Sequence, residues 1–105
     1  MGHLYANVKV GNVTTEKVVE RKVLVDTGAT YFCLSPQLAN ELGLLIEEEK
    51  ESTLADKRQI TAGFALASVE INGRESPVET LVFDISEPVI GAFTLEALGL
   101  GVDPY

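Results

Sequence analysis

An apolar, β-branched run, Val23-Leu24-Val25, delivers one carboxylate, Asp26, into the small-residue turn Thr27-Gly28-Ala29-Thr30. A strand that ends on an acid holds it at the edge of an apolar layer, where burial and a second charge can tune its protonation. Such a group can take a proton from water or, once protonated, give one to a substrate. Gly28 lets the backbone pass close by, and Thr27 offers a short hydroxyl for a local hydrogen bond. The same residue types also build an ordinary strand-to-turn transition, so the chemistry depends on what the rest of the chain supplies.

Other chemistries find little support. Cys33 is the only cysteine, so no disulfide can form within the chain. Its neighbours Tyr31, Phe32 and Leu34 predict a buried strand position, where a thiol is a small core hydrophobe rather than a nucleophile. The only histidine, His3, stands at the extreme terminus, far from any Cys–His pairing. There is no histidine cluster, and the acidic run Glu47-Glu48-Glu49-Lys50-Glu51 lacks the glycine and spacing of a calcium loop, so no metal and no cofactor are expected. That run reads as a solvated loop or strand edge. The net charge of -8, with no basic stripe, argues against nucleic acid. No apolar stretch approaches the roughly 20 residues that span a bilayer, and Met1-Gly2-His3-Leu4-Tyr5 lacks the pattern of a signal peptide. A cytoplasmic protein without membrane partners is expected, its 105 residues forming one domain over 1–105.

The elements that must position Asp26 are short strands separated by turns. Leu4 to Val10 alternates apolar and polar residues, Gly11-Asn12 turns, and Lys17 to Val25 returns. After the Asp26 turn, Tyr31 to Leu34 reads as another strand. Ser35-Pro36-Gln37-Leu38-Ala39-Asn40-Glu41-Leu42-Gly43 carries a full helix signature, with serine at the N-cap, proline at the first position and glycine past the end. Leu98-Gly99-Leu100 repeats the ending Leu42-Gly43-Leu44 after a second helical piece, a trace of internal pseudo-symmetry. Asn72-Gly73 is the strongest hairpin signal. Many short strands with frequent turns predict an all-β barrel or sandwich.

In order along the chain, Val23 to Ala29, the hairpin segment Val69 to Glu75, and Val89-Ile90-Gly91 followed by the helical stretch Ala92 to Leu98 resemble the retropepsin-like aspartic proteases, in particular their small single-domain cellular members. The likeness spans about residues 4 to 103. It implies an all-β acid-protease barrel with one or two short helices, one lobe per chain. It implies that Asp26 is the catalytic aspartate of an endopeptidase acting on extended polypeptide. Thr27 would be a buried threonine tying two active-site turns together, Gly28 would allow close approach and offer its backbone to substrate, and Ala29 and Ile90 would line the substrate site.

Hydrolysis by carboxylates needs two of them, one to take a proton from water and one to give a proton to the carbonyl oxygen. Asp56 is followed by Lys57, Asp84 by Ile85 and Asp103 by Pro104, so no second Asp-Thr-Gly exists. The second carboxylate is therefore expected from a second copy of the chain, across the axis of a homodimer. The segment from Thr53 to Gly63 stands where the family has its flap, with a tip Ala55-Asp56-Lys57-Arg58-Gln59 that lacks glycine; an ordinary surface hairpin is the other reading. Retroviral members interleave their terminal strands. Gly101-Val102-Asp103-Pro104-Tyr105 is short for that purpose, which leaves Tyr5 and the first strand as candidates for the subunit contact. A non-catalytic binding or dimerisation module on the same fold is the alternative to the protease.

Overall fold

The alternation in the first segment becomes β1 (Leu4–Gly11), which hairpins onto β2 (Val18–Val25) in antiparallel register from Leu4↔Val25 to Gly11↔Val18. A computed structural model describes residues 4–53 and 57–100 of the chain. Val8, Val10 and Val23 point inward and are fully buried, as period-two alternation requires. The chain continues through β3 (Phe32–Leu34), α1 (Pro36–Glu41), β4 (Glu48–Thr53), β5 (Gln59–Ile71), β6 (Arg74–Val82), β7 (Val89–Ile90) and α2 (Ala92–Ala97). The strand order is β1-β2-β7-β3-β6-β5-β4, and an additional β1–β5 pairing closes the sheet on itself. The β1–β5 pairing covers the edge of β1 and leaves β4 outside the ring, paired only to β5. The acidic run thus lies on an edge strand, where its charges discourage edge-to-edge association. No helix among the described residues is long and apolar enough to cross a membrane.

Local signals act where they stand in the sequence. Ser35 Oγ accepts the Leu38 N–H at 3.2 Å, and Pro36 opens α1 where its missing N–H costs nothing. Both helices stop on a left-handed glycine, Gly43 at φ 69° and Gly99 at φ 72°. The N–H of the following leucine then reaches back to Ala39 O and Leu95 O, at 2.9 and 2.8 Å. Asn72 and Gly73, both at positive φ, close the two-residue turn between β5 and β6. The turn after β1 differs from the expectation at Gly11-Asn12: Gly11 remains paired in β1, and Asn12 becomes a buried clamp.

Asn12 Nδ2 donates to Leu42 O at 2.9 Å and Gly43 O at 3.1 Å, while its Oδ1 accepts the N–H groups of Thr14 and Thr15. One side chain thus fastens the β1–β2 turn to the end of α1. Asn12→Ala removes all of these bonds and leaves shielded carbonyls unpaired. It is expected to lower unfolding free energy by about 2–4 kcal/mol, read by denaturant titration.

The packed interior falls into two clusters. The larger joins Val8, Val10, Phe32, Leu34, Leu42 and Ile90 with α1 and α2 residues. The smaller holds Cys33, Ala62, Leu81 and Val89, with Leu24, Ala29, Tyr31, Ile60, Phe64 and Phe83 half-open around them. Adjacent residues of β7 take opposite sides, Ile90 to the first and Val89 to the second.

Candidate active site

Asp26 leaves the end of β2 at a point where β2 runs parallel to β7, Val25 opposite Ile90. Its backbone N–H donates to Ile90 O at 3.1 Å, fixing the start of the turn. Ala29 N–H donates back to Asp26 O at 3.0 Å, and Asp26 Oδ1 accepts the Gly28 N–H at 2.9 Å. The carboxylate is therefore oriented by its own turn, an Asx arrangement that needs no other side chain. A Cβ on Gly28 would lie 3.2 Å from Asp26 Oδ1, so glycine gives that hydrogen bond its space.

Beyond the turn, the chain docks on the start of α2. Ala92 N–H donates to Ala29 O at 3.0 Å and Phe93 N–H to Thr30 O at 3.2 Å. Between them Gly91 has no room for a side chain: its Cβ would meet Ala29 O at 2.5 Å and the Thr30 carbonyl at 2.8 Å. The residues Asp26-Thr27-Gly28-Ala29-Thr30 and Val89-Ile90-Gly91, some sixty positions apart, are joined by backbone hydrogen bonds into one assembly.

Of the residues singled out in the sequence, Asp26 and Ala29 are half-buried, and Thr27 and Gly28 are exposed. The expectation that Thr27 is buried does not hold for one chain, where it is exposed among the described residues. Ile90 is corrected. It is fully buried in the main core and cannot line a substrate surface. Val89, its neighbour on the other face, packs with Ala29, Leu24 and Tyr31 on the half-open side, and the alternation of β7 could have pointed to it. Asp84 lies in an exposed bend after β6, and Asp56 and Asp103 are outside the described residues. So are the expected flap-tip residues Ala55 and Asp56, and the stretch Gly101 to Tyr105. The body of that segment is a hairpin, β4 against β5 from Glu48↔Phe64 to Thr53↔Gln59, with Ile60, Ala62 and Phe64 turned into the smaller cluster. Tyr5, a candidate for the subunit contact, donates its hydroxyl to Glu87 at 3.2 Å and carries Lys22 Nζ 5.0 Å from its ring centre.

Cys33 is buried behind the turn, and its pKa is pushed up to about 12, first by burial and then by the nearby Asp26 charge. The thiol stays protonated, as the reading of a core hydrophobe requires. It is expected to resist a thiol-specific reagent at pH 8 in the folded protein and to react at once in denaturant. Because this pKa lies above the ordinary value of 9.0, the protonated thiol favours the fold below about pH 9, and that contribution is lost as pH rises towards 12. No group of three or more metal-ligating side chains occurs among the described residues.

A family profile described as aspartyl protease matches residues 6–103. The fold superposes on the inhibitor-bound EIAV protease with a TM-score of 0.70 at 19% identity, covering 97% of this chain and 93% of that one. A retropepsin-like aspartic protease from Rickettsia conorii gives a TM-score of 0.64 at 28% identity, covering 90% of this chain and 69% of that one. No curated protein sequence matches the chain.

Proposed function

The chain belongs to the aspartyl protease family, and from that premise we propose that it is an endopeptidase whose active site forms between two copies of itself. The observation that carries the proposal is one half-buried carboxylate, fixed by backbone bonds in an exposed Thr27–Gly28 turn beside a partly buried apolar cluster. A second copy supplies the second Asp26. Two carboxyls about 3 Å apart share a single proton, the logic stated generally for aspartic proteases. The ionised Asp26 takes a proton from the water lying between them, and the oxygen of that water attacks the scissile carbonyl carbon. The protonated Asp26 gives its proton to the carbonyl oxygen, and the intermediate collapses with proton transfer to the leaving nitrogen. Thr27, exposed in one chain, gains cover and a hydroxyl partner at the axis. Gly28 and Ala29 offer backbone to an extended peptide, Val89 lines the apolar floor, and the β4–β5 hairpin closes over it. The lone reduced thiol fits a cytoplasmic setting, and the net charge of -8 disfavours nucleic acid as a partner.

The test is cleavage of an unfolded polypeptide mixture, read by mass spectrometry from acidic to neutral pH, beside sedimentation of the same preparation. Cleavage whose specific rate rises with protein concentration supports a dyad formed on association. A dimeric preparation that cuts nothing would replace this reading with a non-catalytic binding module.

A further inference from the structure

Resting on the endopeptidase reading, we propose that the open pocket beside the catalytic turn selects a basic side chain, arginine or lysine, of the bound polypeptide. The pocket, of about 240 Å³, is lined among others by Tyr31, Glu79, Phe93 and Ala97. That is less than a drug-sized ligand needs and suits one long side chain with its waters. Tyr31 and Phe93 are the pocket's two aromatic lining residues. Tyr31 meets Phe93 edge to face at 6.1 Å between ring centres and meets Phe64 in the same manner at 5.8 Å. The three rings form a ladder from the β4–β5 hairpin to α2. Phe93, its outermost rung, is 58% exposed, so a large apolar ring faces solvent at the pocket's edge.

Glu79 is the only ionisable group with a formal charge on the lining, and it has no ion-pair partner among the described residues. An aliphatic stem lying on Phe93, with its cation near the Tyr31 ring and beside the Glu79 carboxylate, uses both the aromatic and the charged groups of the lining. A neutral side chain would leave the carboxylate unused, and an acidic one would meet it along with the chain's net charge of -8. The protein already seats its own cations in this manner: Lys50 Nζ lies 4.9 Å from the Phe64 ring centre and Lys22 Nζ 5.0 Å from that of Tyr5. The pocket lies next to the segment that follows the Asp26 turn. Tyr31 belongs both to its lining and to the cluster holding Ala29 and Val89. The Phe93 N–H bond to Thr30 O, at 3.2 Å, ties the opposite wall to the Asp26 turn.

The experiment measures binding separately from turnover. Asp26→Asn protein is titrated by fluorescence anisotropy with labelled decapeptides of leucine and alanine. One variable residue, arginine, lysine, norleucine or glutamate, is walked through each position. At one position the basic peptides are expected to bind about five- to tenfold more tightly than norleucine, with glutamate weakest. Adding Glu79→Gln should remove most of that preference and leave norleucine binding unchanged, whereas Phe93→Leu, which takes away the ring under the stem, should weaken the basic peptides and norleucine alike; both positions are exposed. Equal binding of arginine and norleucine at every position overturns the proposal, as does a preference that survives Glu79→Gln or a failure to bind any peptide. Wild-type protein is assayed for cleavage of the same set. Arginine-selective binding without cleavage would overturn the endopeptidase reading while leaving the pocket's preference standing.

Discussion

Asp26→Asn is expected to abolish peptide cleavage, by at least about a thousandfold, without unfolding the protein. Asparagine keeps the oxygen that accepts the Gly28 N–H, so the turn retains its hydrogen bond at 2.9 Å. The amide can neither take a proton from water nor give one to a carbonyl, and both acts are required. Thermal unfolding of the variant should lie within a few degrees of wild type. Mixing adds a sharper test. If each active site needs one Asp26 from each of two chains, a ninefold excess of variant leaves about a tenth of wild-type chains paired with one another. Activity should then fall to about a tenth at constant wild-type concentration, once the subunits have exchanged. Undiminished activity in that mixture would show that a single chain suffices and would overturn the shared dyad.

Gly91→Ala is expected to be the most damaging single-methyl change in the protein. The added Cβ would sit 2.5 Å from Ala29 O and 2.8 Å from the Thr30 carbonyl carbon and oxygen, all of them backbone atoms. Backbone cannot rotate aside as a side chain can, so the turn and the start of α2 must separate. The bonds from Ala92 N–H to Ala29 O and from Phe93 N–H to Thr30 O would then stretch. Overpacking at about 1–3 kcal/mol and two weakened hydrogen bonds at about 1 kcal/mol each give a loss of about 3–5 kcal/mol. For a domain of this size that lowers Tm by about 15–30 °C. Gly63→Ala is the control. Its Cβ would also meet an atom closely, at 2.6 Å, but that atom is Cγ2 of the exposed Ile46, a side chain rather than backbone, which a turn about χ1 can shift. A loss of about 1–2 kcal/mol, smaller than at Gly91, is expected there. Equal losses at the two glycines, measured by denaturant titration, would show that the Gly91 contact is not what holds the turn.

Features whose cause lies within a few residues are legible in the chain. The Ser35 cap, the Pro36 start and the glycine ends of both helices act through bonds to residues three to five positions away. The Asn72–Gly73 turn needs only two positive φ angles. Asp26 belongs to this class too, because the bond that orients it comes from Gly28, two residues on. Where the cause lies elsewhere in the chain, the sequence falls short. Asn12 reads as a turn residue, and only the arrival of Leu42 and Gly43 makes it a buried clamp. Ile90 and Val89 are interchangeable in type, and the side of the sheet each faces is set by the register of β7 against β2 and β3. The aromatic ladder joins Tyr31, Phe64 and Phe93 from three distant segments.

The sequence by itself determined a β-rich chain with one carboxylate poised in a small-residue turn, because alternation, caps and turn chemistry are short-range forces. Tertiary structure alone decided which side chains surround that carboxylate and which face the cleft. Sheet register turns every residue to one side or the other, and no local signal fixes register between strands sixty residues apart.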